Sequence, residues 1–203
     1  ANPNAPTSIA LGKNEIEKRI KDNQENIVIV DEAYIDFGGE SVIDLVKKYD
    51  NLLVIQTFSK SRALAGMRLG FAIGNKGLIV GLERIKFSFN SYTINRLSIL
   101  AGIETVRDKE YFEDTIKKII DTREKTIREL EKLNFKVLDS KANFLFISHE
   151  KIYGEDLYLK LKDRGILVRY FKKELIDNYL RVTIGTDKEM EKFINEVKNI
   201  LLI

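Results

Sequence analysis

Apolar residues change their spacing along this chain, and the changes mark out its elements. Ile27-Val28-Ile29-Val30 is a continuous β-branched run, the pattern of a strand covered on both faces. Ser41 then stands before Val42, Leu45, Val46 and Tyr49, which fall on one side of a helix that Ser41 can cap. Leu52 to Gln56 is the next apolar strand. A strand–helix–strand unit of this size implies a right-handed crossover and parallel pairing. The link from Lys60 to Leu69 is too short for another helical crossover, so the third strand, Leu69 to Ile73, is predicted antiparallel to the second. Helices follow over about 76–87 and 93–108.

Farther on, Phe112, Ile116, Ile119, Ile120, Ile127 and Leu130 recur at helical spacing and predict one long helix over 110–133. It reads as a bridge into a second region, 134–203. Strands are predicted there near Lys136–Leu138, Asn143–Ile147, Ile166–Arg169 and Leu180–Ile184, with a helix at 154–164 stopped by Gly165. A last helix places Met190, Phe193, Ile194 and Val197 on one face, a core stripe. The expectation is an α/β region over 1–109 with a mainly parallel sheet, the bridging helix, and a small α+β domain over 134–203. No repeat or low-complexity linker interrupts them.

Composition narrows the classes. With 44% hydrophobic and 32% charged residues, the chain reads as soluble and globular. Its net charge of +3 comes from 34 basic and 31 acidic residues that are well mixed, and no basic run carries interleaved aromatics, so a nucleic-acid partner is not expected. The longest apolar runs are too short to span a membrane, and no secretory signal opens the chain. Zero cysteines exclude a disulfide framework or a cysteine nucleophile and fit a reducing cytoplasm. The single histidine, His149 in Ser148-His149-Glu150, makes neither a metal site nor a triad and reads as surface. The chain opens on Ala, not Met, so an unprocessed translation start is not expected.

Chemistry gathers where strands end. The first strand runs into Asp31-Glu32-Ala33-Tyr34; the second runs into Thr57-Phe58-Ser59-Lys60, followed by Gly66-Met67-Arg68-Leu69-Gly70. In open α/β sheets, ligands bind at the carboxyl ends of strands. An amine, a carboxylate and a guanidinium in such positions suit pyridoxal phosphate: the amine for a Schiff base, the carboxylate for the pyridinium nitrogen, the guanidinium with nearby hydroxyls for the phosphate. The bland alternatives are solvated loop charges for Lys60 and Arg68 and a turn cap for Asp31. An unpaired carboxylate leaving a buried strand would be costly.

At these residues the chain resembles the fold-type-I pyridoxal-phosphate-dependent aminotransferases, and within them the histidinol-phosphate aminotransferase group. The resemblance rests on Asn2-Pro3-Asn4-Ala5-Pro6-Thr7-Ser8, Asp31 to Phe37, Thr57 to Gly70, and Tyr179-Leu180-Arg181-Val182-Thr183-Ile184-Gly185-Thr186, in family order. It implies that Lys60 is the Schiff-base lysine and later the base, that Asp31 pairs with the pyridinium nitrogen, and that Tyr34 donates to the ring's phenolic oxygen. Thr57, Ser59 and Arg68 would form the phosphate cup; Gly66 and Gly70, flanking Arg68, either let backbone approach closely or are plain turn glycines. Arg181 would hold the substrate α-carboxylate, and Arg169 the phosphate of histidinol phosphate or else lie on the surface. Asn143 matches a family stretch without an assignable role.

Two departures accompany the resemblance. The family's Asn-Pro-Asn-Asn-Pro-Thr-Gly has a ring-binding Asn where this chain has Ala5, leaving Asn4 as a neighbour to substitute, and a Gly where it has Ser8. The family's glycine-rich phosphate segment and ring-stacking aromatic are also absent, so the expected fold is an incomplete large domain and the C-terminal part of a longer enzyme. The implied reaction is amino transfer between glutamate (2-oxoglutarate) and imidazole-acetol phosphate, in a cytoplasmic homodimer without a metal. A threonine-phosphate decarboxylase of the same fold is the alternative, and so is a fragment inactive by itself.

Overall fold

A computed structural model describes residues 1–201; Leu202 and Ile203, the end of the expected 134–203 domain, lie outside the described residues. The chain forms two compact units, one from Ala1–Pro3 with Ala10–Thr115 and one from Asn4–Ile9 with Ile116 onward.

In the first unit, strands β1 (Val28–Asp31), β2 (Leu52–Thr57) and β3 (Gly70–Gly74) form one sheet in that order. β1 and β2 are parallel, with Asp31 opposite Ile55; β2 and β3 are antiparallel, with Thr57 opposite Gly70, as the short 60–69 link requires. The sheet within these residues is therefore mixed. One face packs on helix α1 (Lys13–Lys21) and a 3-10 turn at Ile43–Lys47, burying Ile16, Ile20, Val30, Val42, Leu45, Leu52 and Val54. The other face of β1 is not covered: Ile29 is 57% exposed and Ile27 58%. The expectation of a strand covered on both sides is thus corrected.

Helix α1 is absent from the sequence reading because only Ile16 and Ile20 in Lys-Asn-Glu-Ile-Glu-Lys-Arg-Ile-Lys are apolar. Its start is fixed by Glu15, whose Oε2 accepts from the Gly12 N–H at 3.2 Å. The helix expected after Ser41 is also corrected. Ser41 Oγ does accept from the Ile43 N–H at 3.2 Å, but the segment winds as a five-residue 3-10 helix. The amide of Val42, the residue just before it, donates to Glu32 Oε1. The tighter winding rises about 2.0 Å per residue, so a short segment reaches further back to β2 than an α-helix would.

Helices α2 (Lys76–Phe89) and α3 (Arg96–Arg107) begin on Asn75 and Asn95, whose side chains accept from Gly77 N and Ser98 N. Helix α4 (Lys109–Lys132) carries the boundary between the units. None of these helices is long and apolar enough to cross a membrane, nor is any other among the described residues.

The second unit holds β4 (Phe135–Val137), β5 (Phe144–His149), β6 (Arg169–Tyr170) and β7 (Leu180–Thr183), in the antiparallel order β4-β5-β7-β6. Helices α5 (Gly154–Asp163) and α6 (Asp187–Leu201) close its core, with Leu145, Ile147, Leu157, Leu161, Leu180 and Val197 almost fully buried. The strand expected at Ile166–Arg169 starts only at Arg169. Gly165, at φ 73°, stops α5 as expected, and Ile166 N–H bonds back to the Leu161 carbonyl, so Ile166 belongs to the helix stop.

Candidate active site

The parallel pairing of β1 and β2 brings two chemically loaded loops together at their carboxyl ends. Glu32 N–H donates to the Ile55 carbonyl at 2.9 Å, and Asn2 N–H donates to the Asp31 carbonyl at 2.8 Å. Asp31 is half-buried, and its Oδ1 accepts from the Ala33 N–H at 3.0 Å. That bond is the turn cap of the bland reading, and it uses one carboxylate oxygen. Tyr34 follows on the same loop. From the β2 side, the Lys60 ammonium lies 5.2 Å from the centroid of the Tyr34 ring, a cation facing the electron-rich π surface. The phenol and amine singled out in the sequence thus meet, with the acid three residues before the phenol on the same loop.

The turn from β2 to β3 carries the remaining candidates. Thr57 Oγ1 donates to the Leu69 carbonyl at 3.3 Å and accepts from the Ser59 N–H at 3.1 Å. Arg68 sits in the left-handed region at φ 54°, exposed, with a guanidinium N–H on the Ala65 carbonyl at 3.0 Å. Of the two glycines expected to admit close backbone approach, only Gly70 does so. A Cβ there would meet the Gln56 carbonyl oxygen at 2.9 Å, whereas nothing lies within 4 Å of one on Gly66.

In the second unit, Arg169 and Arg181 stand directly opposite each other on β6 and β7. Arg181 lies 5.2 Å from the Phe144 ring centroid and 5.7 Å from that of Phe171; Arg169 lies 5.6 Å from Phe171. Arg169 is otherwise exposed. The Arg181 Nε–H is buried without a hydrogen-bond partner. A buried unpaired donor on a guanidinium is costly, and a bound carboxylate would satisfy it. Asn143 uses its backbone carbonyl to hold the Ile184 N–H at 2.9 Å.

Asn4, the proposed substitute for the missing ring-binding Asn, has its Oδ1 on the Thr7 hydroxyl at 2.8 Å. Ala5 is exposed, and Ser8 takes φ 66°, the left-handed conformation that a glycine would adopt more easily. His149 is not on the surface. It is 6% exposed, with Nε2 3.0 Å from the Leu133 carbonyl and Nδ1 accepting from the Lys151 N–H at 3.1 Å. The polar neighbours Ser148 and Glu150 hid this, because β5 is buried along both faces. Among the described residues no cluster could hold a metal ion. Glu32, Asp36, Gln56 and Ser61, which the sequence reading passed over, hold the strand-end loops together.

Comparison with known proteins bears on the chain as a whole. A model of the aminotransferase class I and II family matches residues 1–197. The chain is 66% identical over 202 residues to the histidinol-phosphate aminotransferase of Brachyspira hyodysenteriae and 58% identical over 200 residues to that of Clostridium botulinum strain Kyoto. Those alignments cover 99% and 98% of this chain but 57% and 56% of the relatives, so the chain spans about half the length of the curated relatives it matches. Among solved structures, the histidinol-phosphate aminotransferase from Clostridium acetobutylicum matches at a TM-score of 0.90 and 31% identity, over 98% of this chain and 62% of that one. The L-threonine-O-3-phosphate decarboxylase from Porphyromonas gingivalis matches at 0.79 and 21% identity, over 100% of this chain and 63% of that one, a likeness of fold alone.

Proposed function

The chain belongs to the aminotransferase class I and II family, and on that premise we propose that its whole protein is a pyridoxal-phosphate-dependent transaminase. Its substrates are glutamate and imidazole-acetol phosphate, the latter being the keto partner of the histidinol phosphate in the names of its relatives. The observation that carries the reading is the meeting of Lys60 with Tyr34 at 5.2 Å, on the loop that begins at Asp31. The residues fit the cofactor: Asp31 has only one oxygen in its turn, and Lys60 forms no ion pair among the described residues.

Pyridoxal phosphate, when bound, supplies an electron-withdrawing ring that stabilises negative charge at the substrate Cα. Lys60 would hold it covalently and, once displaced, take and return the proton at the substrate Cα. Asp31 would keep a proton on the ring nitrogen. Tyr34 would donate to the ring's phenolic oxygen, while Ser59, Thr57 and Arg68 would meet the phosphate. In the second unit, Arg181 would take the α-carboxylate through its unpartnered Nε–H, and Arg169 would take the phosphate of the phosphorylated substrate. The working form is a homodimer in the cytoplasm. Exposed apolar residues on α3, such as Leu97 and Leu100, support self-association, and the lack of cysteine agrees with a reducing compartment.

The test is to supply the full-length protein with pyridoxal phosphate and offer glutamate with imidazole-acetol phosphate, and separately threonine phosphate. Amino transfer to imidazole-acetol phosphate is expected. Carbon dioxide release from threonine phosphate without amino transfer would replace this reading with the decarboxylase one.

A further inference from the structure

Backbone pairing between β1 and β2 ends at the bond from Glu32 N–H to the Ile55 carbonyl. Beyond it, each strand-end loop bonds to its own backbone: Ile35 N–H to Glu32, Phe37 N–H to Tyr34, Ala63 N–H to Lys60. Yet Tyr34 on one loop and Lys60 on the other must keep a fixed separation. Two acids that the proposed chemistry does not use, Glu32 and Asp36, flank Tyr34 and reach across. Glu32 is 2% exposed. Its Oε2 accepts from Gln56 Nε2 and Ser41 Oγ, both at 2.7 Å, and its Oε1 accepts from the Val42 N–H at 2.8 Å. Asp36 Oδ2 accepts from Ser61 Oγ at 2.5 Å, and Ser61 is itself buried. Gln56 and Ser61 bracket Thr57–Lys60, so the lysine loop is tied on both sides of the amine.

We propose that Glu32–Gln56 and Asp36–Ser61 form a two-point clamp that fixes the Lys60 amine relative to Tyr34 and Asp31. They are positioning residues, acting through Lys60 without touching substrate. The inference rests on the reading of Lys60 as the cofactor lysine. Hydrogen bonds to carboxylates are about twice as strong as neutral ones, and a misplacement of about 1 Å at a reacting group costs on the order of a hundredfold. A lysine on a flexible four-carbon stem gains from having its Cα held.

The clamp is tested in the full-length protein by amide hydrogen exchange without cofactor and by pyridoxal phosphate titration. Ser61→Ala and Asp36→Ala are expected to speed exchange at Ser59, Ala63 and Leu64 about tenfold, the worth of one hydrogen bond. Leu145, in the other unit, should not change. The same variants should weaken cofactor capture at Lys60 about tenfold. Asp36→Asn keeps an acceptor for Ser61 and should return both readouts to within about twofold of wild type. Glu32→Ala strands three donors, the buried Val42 N–H among them, and endangers folding, so Gln56→Met, which removes only the cross-loop donor, tests that arm with the same local effect expected. Exchange that rises equally in both units, exchange unchanged at residues 59–64, or an Asp36→Asn variant behaving like Asp36→Ala would overturn the clamp. Borohydride labelling of a different lysine in wild type would defeat the cofactor reading alone, because the exchange experiment still decides whether the two loops are clamped.

Discussion

The two units differ in how completely they enclose their apolar side chains. The second closes a continuous core of β5, β7, α5 and α6 around Leu145, Ile147, Leu161 and Leu180. The first gathers a smaller core around Val30, Leu52 and Val54 and leaves Ile29, Ile85, Phe87, Leu97 and Leu100 exposed, and it buries Glu32, Ser61 and Asn2 beside its strand ends. Where apolar side chains are enclosed, a substitution registers as stability. Where polar side chains are enclosed at strand ends, as at Glu32 and Ser61, it is expected to register in the proposed placement of Lys60. The proposed cofactor residues Asp31, Tyr34 and Lys60 lie in the unit with the smaller core.

The comparison breaks most visibly at Lys60. Lys60→Ala should abolish amino transfer in the full-length protein with little change in its melting temperature, since the side chain is exposed. Asp31→Asn should retain the cofactor but cut turnover far more than tenfold; a loss within about tenfold, roughly 1.4 kcal/mol on the barrier, would remove its assigned role. Next in size is the core contrast. Leu145→Ala should destabilise the second unit by about 2–5 kcal/mol in denaturant unfolding, whereas Ile29→Ala, on the uncovered face, should stay within about 0.5 kcal/mol. Similar costs at both positions would erase the distinction between the units.

Smaller effects sharpen it. Arg181→Ala should raise KM for glutamate about tenfold or more, and Arg169→Ala should hurt the phosphorylated substrate more than glutamate, both read from steady-state kinetics. Equal effects on both substrates would leave the two arginines undivided. The smallest concerns Glu17 on α1. Bonds from Lys48 and then Tyr49, each at 2.6 Å, hold its carboxyl down from 4.5 to about 2. A lowered carboxylate contributes stability that is complete above the unfolded value and lost as pH falls through the folded one, here between 4.5 and about 2. Glu17→Gln should therefore lower the first unit's melting temperature by about 2 °C or less at neutral pH, with the difference vanishing toward pH 2. A difference that persists unchanged across that window would rule out the ionic link.

Local signals in the sequence carried the strand order and the long helices because periodic apolar residues there face real cores, as in α4 and α6. The strand-end candidates Asp31, Tyr34 and Lys60 were legible because strands of like direction end together. What escaped was set by distant partners. Helix α1 shows only Ile16 and Ile20, and the 3-10 turn after Ser41 depends on Glu32 reaching back to Val42. His149 is buried by a sheet face that its polar neighbours disguise. Glu32 and Ser61 look like surface residues until their partners Gln56 and Asp36 are known.

The most direct measurement is chemical. The full-length protein is loaded with pyridoxal phosphate, reduced with borohydride and digested, and the peptide carrying the reduced cofactor is identified by mass. Label on Lys60 alone is the expected result, since that ammonium faces the Tyr34 ring on the loop that begins at Asp31. Label on another lysine, with Lys60 unmodified, would contradict the assignment of the site and the roles built on it.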